Sequence, residues 1–215
     1  TATGRLPSTR GPTTVQKIRA MAPIESLVPG SSTWLPHRPA RPIRVWGIDL
    51  GTTNSAVTEI VWTPGRGSTI ECRTLDIEQP TTGGPFVGPL VPSVVALLPG
   101  GDVWVGEGAK RLRSQRTQIA LEPFRSLFFE TKNDMGLRRT YPLAPEAFNH
   151  ARKIATQILR YLTEQAEALS GARPDRITIT VPASFQLSQR ADTLEAARAA
   201  GLELQEYDLL DEPSA

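Results

Sequence analysis

The sequence has little cysteine, little histidine and no long apolar run. A single cysteine, Cys72, among 215 residues excludes an internal disulfide framework and suits a reducing compartment. No stretch approaches the about 18 consecutive apolar residues that a membrane-spanning helix needs. The two histidines, His37 and His150, lack the spacing of metal ligands. We therefore expect a cytoplasmic protein that does not cross a membrane.

Basic residues are scarce outside the N-terminal segment. Residues 1–45 carry seven Lys or Arg and one acid, whereas the remainder carries 17 Lys or Arg and 21 acids. The part expected to fold is therefore mildly acidic. Nucleic-acid binding would need a basic face on that part, so we expect no nucleic-acid partner.

Residues 1–43 hold seven of the 19 prolines and show no hydrophobic periodicity. Such a segment buries too little apolar surface to offset its ordering entropy, so we expect a disordered, basic, proline-rich leader. A transit peptide, or sequence upstream of a true start at Met21, is an alternative. The chain begins without Met and ends directly after an apolar run, which suggests a fragment.

The hydrophobic patterns predict a mixed sheet. "RVWGIDL", "SAVTEIVW" and "IECRTLDI" predict a three-stranded meander, followed by a loop over 79–92. "SVVALL" and "VWVG" predict a hairpin, "EGAKRLRSQ" a short helix, and 117–143 an irregular segment.

Two helices and two strands are predicted after this segment. Pro145 marks the start of a long helix with an apolar stripe from Phe148 to Leu169, which ends at Gly171. "RITITV" predicts a strand, the next helix has Ser188 as expected N-cap and Gly201 past its end, and "LELQEYDLL" predicts a last strand. This order implies right-handed crossovers.

The turn in "VWGIDLGTTNSAV", residues 45–57, combines one carboxylate with one glycine and several hydroxyls. Gly51 lets the backbone approach a ligand closely, and the following N–H and hydroxyl donors suit phosphate oxygens. Asp49 beside a phosphate would need a cation such as Mg²⁺ between them, held through water. A polar hairpin turn without a ligand explains the same residues equally well.

A second stretch, with "VPASF", "QR", "AGL" and "DEPSA", occurs in the same chain. Together with "GIDLGTTNS" it resembles the ATPase domain of the seventy-kilodalton heat-shock chaperones of the DnaK type, over about residues 44–215. The resemblance implies the first lobe of an actin-type ATPase domain. This lobe has a ribonuclease-H-like βββαβαβ mixed sheet with an inserted small subdomain at about 85–143. The second lobe is missing.

The resemblance also implies site residues. Asp49 resembles the carboxylate near Mg²⁺, and Glu212 resembles the glutamate that joins the metal's water shell. Gly51, Thr52, Thr53 and Asn54 resemble the first phosphate loop, which binds ATP or ADP. Pro182 and Arg190 resemble the pair that relays nucleotide state between domains.

A lysine near the γ-phosphate belongs to the family pattern in a Lys-x-x-Met-Gly context. "FFETKNDMG" supplies Lys132 in that context, whereas counting from "AKR" reaches Arg125. We prefer Lys132, because an extended loop costs little. Asp49, Lys132 and Glu212 are the predicted catalytic set, although phosphoryl transfer depends mainly on positioning and charge neutralisation.

The resemblance implies an ATPase that hydrolyses ATP to ADP and phosphate, and that assists protein folding and the stress response by nucleotide-switched client binding. Unfolded polypeptides and co-chaperones are the expected partners of the full-length protein. The isolated fragment is expected to be inactive. An actin-like cell-shape or filament ATPase, a sugar kinase of the same superfamily, and a non-catalytic scaffold fragment are the alternatives.

Overall fold

The computed structural model describes residues 16–19, 41–65 and 68–212. In chain order the strands are β1 Gln16–Arg19, β2 Ile43–Leu50, β3 Asn54–Thr63, β4 Thr69–Thr74, β5 Ile77–Gln79, β6 Phe86–Gly88, β7 Val91–Pro92, β8 Val94–Leu97, β9 Val103–Val105, β10 Leu127–Phe129, β11 Arg176–Val181 and β12 Leu209–Asp211. The α-helices are α1 Glu107–Ser114, α2 Ala151–Ser170 and α3 Leu187–Ala199. Short 3-10 helices cover Thr131–Asp134, Glu146–Phe148 and Glu206–Asp208. No helix in these ranges is long and apolar enough to cross a membrane.

A seven-stranded sheet forms the centre, in the order β1-β4-β3-β2-β11-β12, with β7 paired to the start of β3. The segment β2-β3-β4 is antiparallel, which confirms the predicted meander. β11 runs parallel to both β2 and β12, so the expected mixed sheet is also confirmed. The carboxyl ends of the parallel strands β2, β11 and β12 therefore lie at the same edge of the sheet.

The alternation of side chains along β2 separates the core from the site. Trp46, Ile48 and Leu50 are buried in the main core, whereas Asp49 between them is exposed. Successive side chains of a strand point to opposite faces, so the strand that builds the core also presents a carboxylate at its end.

Helix α2 packs against the sheet and against α3. Its stripe is buried at Ile154, Ile158 and Leu162, and Gly171 ends it with a φ of 69°, as predicted. The predicted start was wrong, because Pro145 precedes a separate 3-10 turn and α2 begins at Ala151. His150 is its N-cap, and the imidazole accepts a hydrogen bond from the Arg152 N–H at 3.2 Å.

Two further boundaries differ from the sequence prediction. The N-cap of α3 is Gln186 instead of Ser188, because Gln186 and Gln189 form a reciprocal capping box. The predicted strand over 202–210 is shortened to β12. Its first part turns instead, since Asp208 accepts a hydrogen bond from the Gln205 N–H at 2.9 Å.

The segment between the meander and α2 forms smaller sheets. β8 and β9 make the predicted hairpin, and β10 joins β8 on its other side. β6 and β7 occupy parts of the predicted 79–92 loop, and β10 lies in the segment predicted to be irregular. These strands have three residues or fewer and are specified by backbone pairing, so they leave no side-chain periodicity in the sequence.

The leader contains one described strand. β1 pairs antiparallel with β4, Gln16 opposite Cys72 and Arg19 opposite Thr69. At these four residues the expectation of disorder was wrong, because an edge strand offers unpaired N–H and C=O groups to any extended segment. Residues 41–43 of the predicted leader are also described, and Ile43 already belongs to β2. The expectation for 1–15 and 20–40 lies outside the described residues.

Candidate functional site

The loop between β2 and β3 accepts only glycine at its first position. A Cβ on Gly51 would lie 2.0 Å from the backbone oxygen of Asn54, far inside van der Waals contact. The close turn itself therefore requires Gly51, as the interpretation without a ligand proposed. Within the described part of the chain, the N–H groups of Thr52 and Thr53 have no hydrogen-bond acceptor. The loop thus combines a required glycine with donors that remain available.

Asp49 lies at the carboxyl end of β2, opposite Thr180 of β11. The Thr180 hydroxyl donates a hydrogen bond to Asp49 Oδ1 at 3.2 Å. Asp49 is exposed, so it retains oxygen atoms that a cation or its water shell can use.

Lys132 is the only strongly buried cation that the described residues place beside this loop. Its side chain is 10% exposed, and its Nζ lies 3.7 Å from Glu212 Oε1 and 5.2 Å from the centre of the Phe185 ring. Burial lowers the pKa of Lys132, although the negative charges of Glu212 and Asp49 act in the opposite direction. The ammonium group is therefore only partly compensated.

Glu212 follows β12 and is held by the backbone. Its N–H donates to the carbonyl oxygen of Val181, at the end of β11, at 2.8 Å. This bond brings the end of β12 to the same sheet edge as Asp49. A small cleft lies between the loop and α2, and its lining includes Gly51, Thr52 and Lys132.

Arg125 does not reach this cleft. Its guanidinium pairs with Glu122 at 2.8 Å on an exposed surface, and it lines a separate depression with Leu97 and Leu143. The structure thus brings Lys132, and not Arg125, next to Asp49 and Glu212.

Gly136 anchors the segment that carries Lys132 onto α3. Its φ is 75°, and a Cβ there would lie 2.7 Å from side-chain atoms of Ser188 and Gln189. Its N–H donates to Asp192 Oδ2 at 2.7 Å. The close packing against α3 therefore requires glycine at this position of the Lys-x-x-Met-Gly pattern.

Pro182 follows the end of β11, and Arg190 lies in the first turn of α3. The Pro182 carbonyl accepts a hydrogen bond from the Phe185 N–H at 2.9 Å, closing the turn before α3. The guanidinium of Arg190 forms an ion pair with Asp211 of β12. Both residues contact the backbone segments that hold Phe185 and Glu212.

Sequence reasoning missed three residues of this site. Thr180 contacts Asp49, Phe185 lies beside Lys132, and the Ser93 hydroxyl donates to the Gly51 carbonyl at 2.7 Å. Period-two register would have placed Thr180 beside Asp49 if the β2–β11 pairing had been assumed. No local signal indicates the contact of Ser93.

The carboxylates do not form a complete metal site by themselves. Within the described residues, no group of three or more His, Cys, Asp and Glu side chains has the arrangement of a metal centre. Two hard oxygen ligands beside free N–H donors do fit Mg²⁺, which usually keeps several waters and takes other ligands from phosphate. The donor set therefore suits a metal bound together with a phosphate ligand.

Fold and site define a mixed α/β protein with a glycine hairpin beside a lysine–carboxylate pair. The family model described as Hsp70 protein matches residues 130–215. Over 188 residues the chain is 31% identical to the chaperone protein DnaK of Cyanidium caldarium, covering 80% of this chain and 28% of that relative. The DnaK proteins of Thermotoga neapolitana and Thermotoga petrophila are 34% and 36% identical over 171 residues, covering 80% of this chain and 25% of each relative.

The chain is therefore similar to Hsp70 proteins at residues 130–215 and to the DnaK relatives over 80% of its length. This confirms the resemblance, and the actin-like filament alternative is not favoured. The chain spans about a quarter of the length of the curated relatives that it matches.

Proposed function

We propose that this chain forms one wall of the ATP site of an Hsp70-type chaperone. In this proposal residues 44–215 form the ribonuclease-H-like first lobe, with an inserted subdomain at about 85–143. The observation that carries the proposal is the convergence of three elements. Asp49 ends β2, Glu212 follows β12, and Lys132 lies between them beside the Gly51 loop.

Each group has a proposed role that matches its chemistry. The free N–H groups of the loop would bind phosphate oxygens, and Asp49 and Glu212 would hold Mg²⁺ through water. The metal would neutralise charge that develops on the transferred phosphoryl group. Lys132 would stabilise the same charge directly, because its ammonium is only partly compensated and its side chain is only 10% exposed.

We further propose that Pro182 and Arg190 relay nucleotide state. Arg190 of α3 is paired with Asp211, one residue before Glu212. A movement of Glu212 would therefore move Asp211 and, through this ion pair, α3. In the complete protein this relay would control the binding of unfolded polypeptides, in the cytoplasm and with co-chaperones.

Titration of Mg·ATP into the ¹⁵N-labelled 215-residue chain, followed by NMR, tests the proposal. One wall of a cleft is expected to bind weakly, with shift changes concentrated at Gly51–Asn54 and around Lys132. Lys132→Ala should reduce these changes. Lys110→Ala, an exposed lysine on α1 that pairs with Glu107, is the matched control and should not. Absent changes, or changes centred on Arg125, would contradict the proposal.

A further inference from the structure

Ser93 forms two hydrogen bonds to the β2–β3 loop, although the sequence analysis gave it no role. It lies between β7 and β8, outside the hairpin, and is 5% exposed. Its hydroxyl donates to the Gly51 carbonyl at 2.7 Å, and its N–H donates to the Thr53 carbonyl at 2.8 Å. One residue therefore holds two alternate carbonyl groups of the loop.

These two bonds fix the direction of two loop N–H groups, those of Thr52 and Asn54. A peptide unit is planar and trans, so its N–H points opposite to its C=O. The Gly51 carbonyl and the Thr52 N–H belong to one unit, and the Thr53 carbonyl and the Asn54 N–H belong to the next but one. With both carbonyls turned towards Ser93, the Thr52 N–H must point away from it. That N–H has no acceptor in the described part of the chain.

The neighbouring hydroxyl of Ser55 supplies a natural control. Its Oγ lies 3.0 Å from the Ser93 Oγ, and Ser55 is 1% exposed. A hydroxyl has one proton to donate, and that of Ser93 is used by the Gly51 carbonyl. Ser55 is therefore the donor to Ser93. Removing the Ser55 hydroxyl loses a buried hydrogen bond but leaves the loop carbonyl bonded.

We propose that Ser93 is a positioning residue that orients the loop N–H groups for a phosphate ligand. The phosphate part rests on the function proposed above, whereas the orientation of the loop does not. Ser93 also connects the loop to the segment that begins with β8. Movement of that segment would thus change the geometry of the loop without any contact to the ligand.

The experiment compares Ser93→Ala, Ser55→Ala and Ser93→Thr in the 215-residue chain. Without ligand, the expected signature of Ser93→Ala is a moved Gly51 carbonyl ¹³C shift and a lower ¹⁵N order parameter at Thr52, whose N–H shares a peptide unit with the Gly51 carbonyl. Ser55→Ala should leave both near wild type, and Ser93→Thr should restore them by keeping the hydroxyl. With Mg·ATP, Ser93→Ala should raise Kd about tenfold, as expected for a lost hydrogen bond of about 1.4 kcal/mol.

Equal effects of Ser93→Ala and Ser55→Ala on the loop would overturn the proposal, because Ser93 would then act only through general stability. Loop signatures confined to Ser93→Ala support it. If those signatures occur but wild type binds no Mg·ATP, the positioning of the loop stands and the proposed function fails.

Discussion

Two buried charges differ in how the protein compensates them: Glu59, midway along the β2–β3 ladder, and Lys132, beside the loop that joins β2 to β3. Glu59, 2% exposed, lies 2.6 Å from Arg73 Nη2 and 3.1 Å from Arg44 Nε, and also accepts from the Trp46 indole at 3.4 Å. Lys132 lies 3.7 Å from Glu212, its nearest anionic partner. One charge is enclosed by its partners, while the other is left partly compensated beside a cleft.

The difference separates a structural role from a ligand-binding role. Burial disfavours any charge, so a charge that persists must be compensated. Around Glu59 the compensation comes from the protein. Beside Lys132 part of it remains open to an anion from outside, which is the electrostatic basis of the proposed phosphate site.

The largest expected effect is at the enclosed charge. Glu59→Gln leaves Arg73 and Arg44 without their shared carboxylate, and should lower the free energy of unfolding by about 3–5 kcal/mol. Urea denaturation measures this. Glu212→Gln, at the partner of Lys132, is the control. Its carboxylate is 41% exposed, so the free energy of unfolding should change by less than about 1 kcal/mol. Equal losses of stability in the two variants would contradict the distinction between Glu59 and Lys132.

Gly51→Ala should have the next largest effect. The added Cβ would lie 2.0 Å from the Asn54 oxygen, so the loop must open, at a cost of about 2 kcal/mol. Gly47→Ala in the preceding strand β2 is the control, because its Cβ would meet only the Thr178 hydroxyl at 3.8 Å. Thermal unfolding compares the two. A tolerated Gly51→Ala would show that the turn does not require glycine.

Lys132→Met should leave stability unchanged or raise it by up to about 1 kcal/mol, since an apolar chain of similar length avoids the burial of a charge. Urea denaturation against Arg125→Ala, an exposed residue, measures this small change. A clear loss of stability with Lys132→Met would show that this lysine is a structural partner, as Glu59 is.

The contributions of Lys132 and Glu59 to stability should also change with pH, that of Lys132 at high pH and that of Glu59 at low pH. Burial lowers the pKa of Lys132, so the folded state loses this proton first, and stability should rise with pH between the lowered pKa and the ordinary value of 10.5. Burial alone would raise the pKa of Glu59, but the contacts with Ser170, Arg73 and Trp46 outweigh it and the pKa is lowered. That contribution is therefore lost as pH falls below the ordinary value of 4.5. NMR titration of both side chains, with the urea-unfolded chain as reference, checks the directions.

The sequence predicts the residues around Lys132 far better than those around Glu59. Asp49, Gly51 and Lys132 lie in short local motifs, and the resemblance that these motifs carry was enough to select them. Glu59 and Arg73 belong to different strands, and their contact depends on the β3–β4 register. Ser93 and Thr180 were missed for the same reason, since pairing between distant segments brings them to the loop. Ser188 was misplaced as a cap because the capping box of Gln186 and Gln189 starts α3 at Leu187.

The most direct test is Mg·ATP calorimetry with single-turnover hydrolysis on the complete gene product that contains this sequence. Lys132→Ala and Arg125→Ala should be measured beside the wild type. We expect wild type and Arg125→Ala to bind and hydrolyse ATP, and Lys132→Ala to bind but to lose hydrolysis by at least about 100-fold. A wild type that neither binds nor hydrolyses ATP, or a loss confined to Arg125→Ala, would contradict the assignment of the open charge to phosphate.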